Sequence, residues 1–232
     1  MELEYLSWDS VFFKRKIGRF LIGNFCDLHT VLEEAKSENF QLIYVFGNKD
    51  FFVDKKTLDC FNGRLVDRKV LYEKDIENEQ KRSTFTSEYI GNLTSDLEKL
   101  AYLSGKFSRF KLDNNFHELD FYRMYKIWIQ ESVKRQIADN VFVTKEKNIV
   151  KGMVTLKISN EKGIIGLLAV APDTQRKGYG KALISACENE LLRKGVLTLG
   201  VSTQLDNIQG CNFYEKCGFR VKEINNIYHF WL

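Results

Sequence analysis

The residues best placed to do chemistry lie in Leu167-Leu168-Ala169-Val170-Ala171-Pro172-Asp173-Thr174-Gln175-Arg176-Lys177-Gly178-Tyr179-Gly180-Lys181. An apolar strand runs into a basic turn punctuated by two glycines, and the turn opens an amphipathic helix. Such a junction aims several backbone N–H groups at one spot, at the positive end of a helix dipole. A pyrophosphate suits that spot. Gly178 and Gly180 remove the Cβ that would hold an oxyanion away from the backbone. Arg176, Lys177 and Lys181 either add charge there or form a solvated surface. A Gly-x-Gly pair alone is equally an ordinary turn before a helix. This one lacks the first-strand setting and downstream acid of a dinucleotide-binding fold, and the Gly-Lys-Ser/Thr of a P-loop.

The elements around this turn follow from periodicity. Ile164 to Val170 is continuously apolar, which predicts a strand buried on both faces, and Pro172, the single proline, ends it. The following helix carries Tyr179, Ala182, Leu183, Ala186 and Cys187 on one face, and Gly195 stops it. Val196 to Val201 reads as a strand, Ile208 to Lys216 as a short helix closed by Gly218, and Phe219 to Glu223 and Tyr228 to Trp231 as two final strands. Upstream, Val141 to Thr144 and Val150 to Ile158 are strands joined by the polar turn Lys145 to Asn148, and Ser159 to Gly163 is a hairpin turn. Phe121, Met124, Tyr125, Trp128 and Ile129 place one apolar face on a helix between Glu118 and Ile137. Ser95-Asp96-Leu97-Glu98 and Thr30-Val31-Leu32-Glu33 read as capping boxes opening helices to about Ser104 and Glu38. Leu42 to Phe46, Arg64 to Tyr72 and Phe85 to Ile90 complete the strand set. Glu73 to Arg82 is almost wholly polar, so a domain boundary or an exposed crossover is placed there, with residues 1–83 as an N-terminal α/β domain and 84–232 as a second domain.

Composition limits the partners. The chain has 232 residues, is 44% hydrophobic, and holds 18 Phe and 10 Tyr, enough for a sizeable core. Its net charge of +4 comes from Lys and Arg spread along the chain, which suits a small anion better than nucleic acid. Cys26, Cys60, Cys187, Cys211 and Cys217 show no Cys-x-x-Cys spacing and read as reduced, mostly buried thiols. His29, His117 and His229 are isolated, so no metal is expected. No apolar run approaches membrane-spanning length, and the acidic start Met1-Glu2-Leu3-Glu4 does not read as a signal peptide, so a cytoplasmic protein is expected.

Gln175, Gly178 and Gly180 match the acyl-CoA motif Gln/Arg-x-x-Gly-x-Gly/Ala, and the segment resembles that of the GNAT N-acetyltransferases. The element order β-α-α-β-β-β-α-β-α-β-β from about residue 84 is similar to that family's. So is the closing frame of Asn207 followed by Phe213-Tyr214-Glu215-Lys216-Cys217-Gly218-Phe219. The resemblance implies an α/β fold: a mixed, mostly antiparallel sheet flanked by helices, here preceded by the smaller N-terminal domain. It implies acetyl-CoA as co-substrate, with the backbone from Arg176 through Tyr179 and Gly180 to Lys181 on the pyrophosphate. The N–H of Leu168 would act as oxyanion donor, and Val170 would bond the pantetheine arm. Tyr214 would be the acid that protonates the leaving thiolate, with a phenol near its ordinary pKa, or an aromatic core residue of its helix. Asn207 would bond the pantetheine or a water, or cap its helix.

Many members carry a Glu on the strand before the glycine turn; Ile164-Ile165-Gly166-Leu167-Leu168 has none. A water relay through backbone carbonyls or Ser202 is left to take the amine's proton. Trp8 to Phe13, Ser104 to Asp113, and Tyr125 to Ser132 with Ile137 to Asp139 resemble the TDP-fucosamine acetyltransferase group. That resemblance implies a nucleotide-linked 4-amino-4,6-dideoxy sugar as acceptor. Arg109 would meet its diphosphate or form a salt bridge, and Trp8 and Phe13 would pack between domains or under the sugar. Another primary amine and a catalytically silent acyl-CoA-binding regulator stay open as readings, as does a homodimer.

Overall fold

Periodic apolar positions become ten strands and eight α-helices in the computed structural model, which describes residues 3–22, 27–77, 85–159 and 161–232. In chain order these are β1 (Glu4–Tyr5), α1 (Ser7–Phe13), β2 (Ile17–Leu21), α2 (Leu28–Ser37), β3 (Leu42–Asn48), α3 (Lys55–Cys60), β4 (Gly63–Asp75), β5 (Thr86–Glu88) and α4 (Ser95–Ser104). Then come α5 (Arg109–Leu112), α6 (Glu118–Val133), β6 (Asn140–Glu146), β7 (Ile149–Ile158), β8 (Gly163–Val170), α7 (Tyr179–Arg193), β9 (Thr198–Gln204), α8 (Ile208–Lys216) and β10 (Arg220–Phe230). Cys26, residues 78–82 of the polar stretch with the next two, and Asn160 of the hairpin turn lie outside the described residues.

The chain divides into two compact units. The first holds Met1–Val70, Gln204–Asp206 and Glu223–Leu232. In it β2 and β3 run parallel, from Ile17 beside Leu42 to Leu21 beside Phe46, as the helical crossover α2 requires. β10 lies antiparallel to β3. Phe20, Leu28, Leu32, Ala35, Phe40, Ile43, Val45, Phe61, Tyr228 and Phe230 form its core. The cap of α2 is Asp27, not Thr30: the Asp27 carboxylate accepts from the His29 N–H and the Thr30 hydroxyl, so the helix starts earlier than expected. The two expected C-terminal strands are one, because Asn226 is buried and donates to the carbonyls of Lys49 and Phe51 instead of breaking the strand.

The second unit holds Leu71–Thr203 and Asn207–Lys222. Its strands β5, β6, β7 and β8 pair antiparallel in that order, and β9 adds parallel to β8. α4 and α7 both pack on β7 and β8. Thr94, one residue before the expected cap, caps α4, and α6 ends at Val133, because Arg135 turns into the left-handed region at φ 64°.

Two irregularities shape β8. Leu156 faces Ile165 and Val154 faces Leu168, so three steps on β8 match two on β7, a bulge that bends β8. Pairing with β9 covers only Gly163 to Ile165, opposite Leu199 to Val201. Beyond Ile165 the two strands part. The expected burial on both faces does not hold: Ile164 and Gly166 are exposed and Leu168 and Val170 half-buried, while their alternates are covered. A run of apolar letters does not distinguish a covered face from a partly open one.

Cys60, Cys187, Cys211 and Cys217 are in no disulfide; Cys60 is exposed rather than buried. Among the described residues no group of three or more His, Cys, Asp or Glu is placed to hold a metal, and no helix is long and apolar enough to cross a membrane.

Candidate active site

Where β8 leaves β9, its backbone has an edge without a strand partner among the described residues. The Leu167 N–H donates to Thr155 Oγ1 at 2.8 Å and the Ala171 N–H to the Lys151 carbonyl at 2.7 Å, both on β7. Backbone groups alternate in direction along a strand. The N–H groups of Leu168 and Val170 therefore point the other way, to the side from which β9 has withdrawn. Gln175 Nε2 donates to the Val170 carbonyl on that side at 3.3 Å. An extended ligand can add there as a strand would, with two N–H donors in reach. Ser202 is exposed on β9, one residue past its last pairing with β8 at Val201.

The glycine turn follows directly. Pro172–Thr174 makes one 3-10 turn. Arg176 then takes φ 63° and Gly178 φ 86°, with Lys177 between them outside the left-handed region. Alternation of this kind turns successive N–H groups to a common point. Gly178 is the N-cap of α7 and no side chain caps that end, so the first-turn N–H groups stay available. A Cβ on Gly178 would meet nothing within 4 Å. This open cradle of backbone donors fits a pyrophosphate. Arg176, Lys177 and Lys181 are exposed around it, and Lys177 also pairs with Glu146 at 3.2 Å. The Tyr179 side chain is buried with its ring 5.5 Å from that of Phe85, so only its backbone serves the turn.

Gly180 has a second reason to be glycine. A Cβ there would lie 2.9 and 3.0 Å from Cε2 and Cζ of Phe213 on α8. Gly180→Ala must displace that ring. We expect a stability loss of about 1–3 kcal/mol from overpacking, partly offset by about 0.5–1 kcal/mol of helix preference for Ala over Gly. Urea unfolding checks this; a variant as stable as the wild type would show that the ring gives way freely.

α8, which packs on the glycine turn, carries Tyr214. Its cap is Asn207, whose Oδ1 accepts from the Gly210 N–H at 3.1 Å and whose Nδ2 donates to Thr203 Oγ1 at 3.0 Å. Both ends of that amide are used by the fold, which favours the cap over a ligand contact. Gln209 Nε2 donates to Gln175 Oε1 at 3.0 Å, and Phe213 sits on Gly180, so α8 is tied to the glycine turn at two points. Tyr214 is buried, its ring 5.9 Å from Tyr72, 5.3 Å from Phe213 and 5.7 Å from Phe219. Its phenol is not near the ordinary value. Burial pushes its pKa up, since a phenolate loses water's solvation there, and the nearby Cys217, Cys211 and Cys187 add to the shift. Tyr214 therefore holds its proton across the neutral range.

The remaining candidates are Arg109, Phe13 and Trp8. Arg109 opens α5, half-buried, with its guanidinium 4.5 Å from the Phe110 ring. Phe13 is buried, and Trp8 is exposed and stacked on Phe12 at 5.0 Å. Sequence reasoning gave no site role to Phe213, Gln209 or Tyr72. Tyr72 packs on Tyr214 and donates to Glu215 at 2.9 Å across 143 residues of chain, and no local pattern signals such a contact.

The chain is similar to known proteins. Over 90 residues the chain is 30% identical to the [ribosomal protein bS18]-alanine N-acetyltransferase of Escherichia coli strain K12, covering 39% of this chain and 60% of that enzyme. The chain thus spans about 60% of the length of the curated relatives of that type. It is 27% identical over 108 residues to the spermidine N(1)-acetyltransferase of Thermoplasma acidophilum, covering 41% of this chain and 67% of that one. A conserved protein of unknown function from Staphylococcus epidermidis shares the fold, with TM-score 0.61, 10% identity, and 92% and 84% of the two chains covered. The acetyltransferase (GNAT) family matches residues 101–219, which include β8, the glycine turn, α7 and α8, and the chain belongs to that family.

Proposed function

We propose that the chain is an acetyl-CoA-dependent N-acetyltransferase whose acceptor is the amine of a nucleotide-linked amino-dideoxy sugar, a TDP-4-amino-4,6-dideoxyhexose. One observation carries the transferase reading: the open edge of β8, the glycine turn and the Tyr214 helix are joined through Gln175, Gln209, Gly180 and Phe213. Acetyl-CoA supplies an acetyl group activated as a thioester. The backbone of residues 176–181 holds the pyrophosphate, and Val170 aligns the arm. The Leu168 N–H meets the carbonyl oxygen as it gains charge, where a preorganised donor stabilises most. The acceptor nitrogen attacks within a ternary complex, and Tyr214 gives its proton to the departing sulfur. β8 carries no carboxylate, so a water held by backbone carbonyls or Ser202 takes the amine's proton.

Support for the sugar nucleotide comes from residues 104–113. Lys106 lies 5.6 Å from the Phe107 ring, Arg109 4.5 Å from Phe110, and Lys111 4.9 Å from Tyr122. Cations set beside rings suit a diphosphate attached to a base, and Arg109 is the group we assign to the diphosphate. Residues 1–83 are proposed to contribute to the acceptor side. Such substrates put the reaction in the cytoplasm. A second reading rests on the relatives, whose names specify an alanine amine and spermidine.

A panel of amines with acetyl-CoA, followed by free-thiol release, separates these readings. The TDP-amino sugar should exceed the free amino sugar in kcat/KM by roughly 100-fold, because the carrier contributes remote binding energy. Preferred turnover of spermidine or of an alanine-starting peptide would overturn the sugar assignment alone. Acetyl-CoA binding without thiol release for any amine would mark a silent acyl-CoA-binding protein.

A further inference from the structure

The geometry points to Lys74 as a positioning residue that sets Tyr214 against the cofactor helix. This inference rests on the reading of Tyr214 as proton donor. Lys74 lies near the end of β4; among the described residues its ammonium bonds two groups and also lies 6.0 Å from the centre of the Phe219 ring. One is the carboxylate of Glu188 on α7, whose side chain is 2% exposed. The other is the Cys217 carbonyl at the C-cap of α8, 2.8 Å away and three residues past Tyr214. The lysine stem also packs beside Gly218, where a Cβ would lie 3.5 Å from Lys74 Cε. That glycine has φ 88° and closes the helix.

One cation therefore ties the helix that begins at the glycine turn to the end of the helix that carries Tyr214. Both contacts are matched to charge. A carboxylate so deeply buried is costly unless paired, and the carbonyl end of a helix attracts a cation. A buried ion pair is weak evidence for stability, since apolar groups of similar size often replace it at no cost; its better-attested use is to fix register. Here the register is that between α7 and α8. Phe213 on Gly180 sets it near the turn, and Lys74 sets it further along both helices.

The test is a double-mutant cycle. Lys74→Met combined with Glu188→Leu removes both charges without leaving one unpaired. We expect a folded protein, a kcat lower by about 10-fold or more, and a KM for acetyl-CoA within about threefold of wild type. The deciding readout is Tyr214→Phe measured in both backgrounds. If Lys74 acts by placing the tyrosine, the Tyr214→Phe penalty shrinks in the charge-free background, because the two changes damage one step. Lys74→Arg, which keeps the cation, should restore most of kcat. A Tyr214→Phe penalty of the same size in both backgrounds overturns the proposal. If the double variant does not fold, the cycle is run in Glu188→Gln, which keeps the shape and weakens the tie, with the same criterion. A Tyr214→Phe change that costs nothing in the wild type removes the tyrosine's role and this inference with it, whereas a retained penalty that does not couple removes Lys74 alone.

Discussion

If acetyl-CoA binds as proposed, it should raise the Tm of the wild type, and Gly178→Asp should abolish that stabilisation. A ligand that binds only the native state at about 100 times its Kd adds about 2.7 kcal/mol. For a chain of this size that corresponds to a rise in Tm of roughly 5–10 °C. Gly178 stands at φ 86° at the mouth of α7, where nothing lies within 4 Å of an added Cβ. A carboxylate there would project into the cradle of N–H groups that the pyrophosphate needs, like charge against like charge at short range. The variant must also be separated from simple backbone strain, since any side chain at this φ is disfavoured. Gly178→Asn supplies that control, because it has the same shape and strain with no charge. Both variants should lose some intrinsic stability. Only Gly178→Asp should lose the ligand-dependent shift entirely, with Gly178→Asn keeping part of it. A full shift in Gly178→Asp would mean that the pyrophosphate lies elsewhere.

That this turn was legible, while much of its surroundings was not, has a physical reason. Glycines at left-handed positions and a helix opening on them are decided within a few residues, so Gly178, Gly218 and the bounds of α8 at Ile208 and Lys216 agree with expectation. The divergence of β8 from β9 is decided by pairing between Gly163–Ile165 and Leu199–Val201, far apart in sequence, and it is what opens the Leu168 and Val170 donors. The short helices α1, α3 and α5 run seven, six and four residues, too few to establish a helical period. The two asparagines of β10 look like a break until Asn226 meets the carbonyls of Lys49 and Phe51. Tyr214 shows the same division. Its frame is local, whereas its pKa is set by what buries it, including a ring from β4.

Tyr214→Phe keeps the ring and removes the proton. Its contacts with Tyr72, Phe213 and Phe219 are ring contacts, so the variant should fold and bind acetyl-CoA as the wild type does. kcat should fall by roughly 100-fold or more, the lower range for loss of a general acid, with KM for acetyl-CoA little changed. That split distinguishes loss of a group used in the chemical step from loss of a binding contact. The raised pKa adds a second signature. A phenol pushed up by burial stays protonated past the ordinary value of about 10. Loss of its proton should therefore not limit the wild-type rate until above that pH, and no limb assignable to Tyr214 should appear between pH 7 and about 10. In the proposed mechanism a thiolate departing beside Tyr214 would also have its proton affinity raised by burial, so transfer from a high-pKa phenol remains workable. A near-normal kcat for Tyr214→Phe would transfer the role of acid to water or to another group.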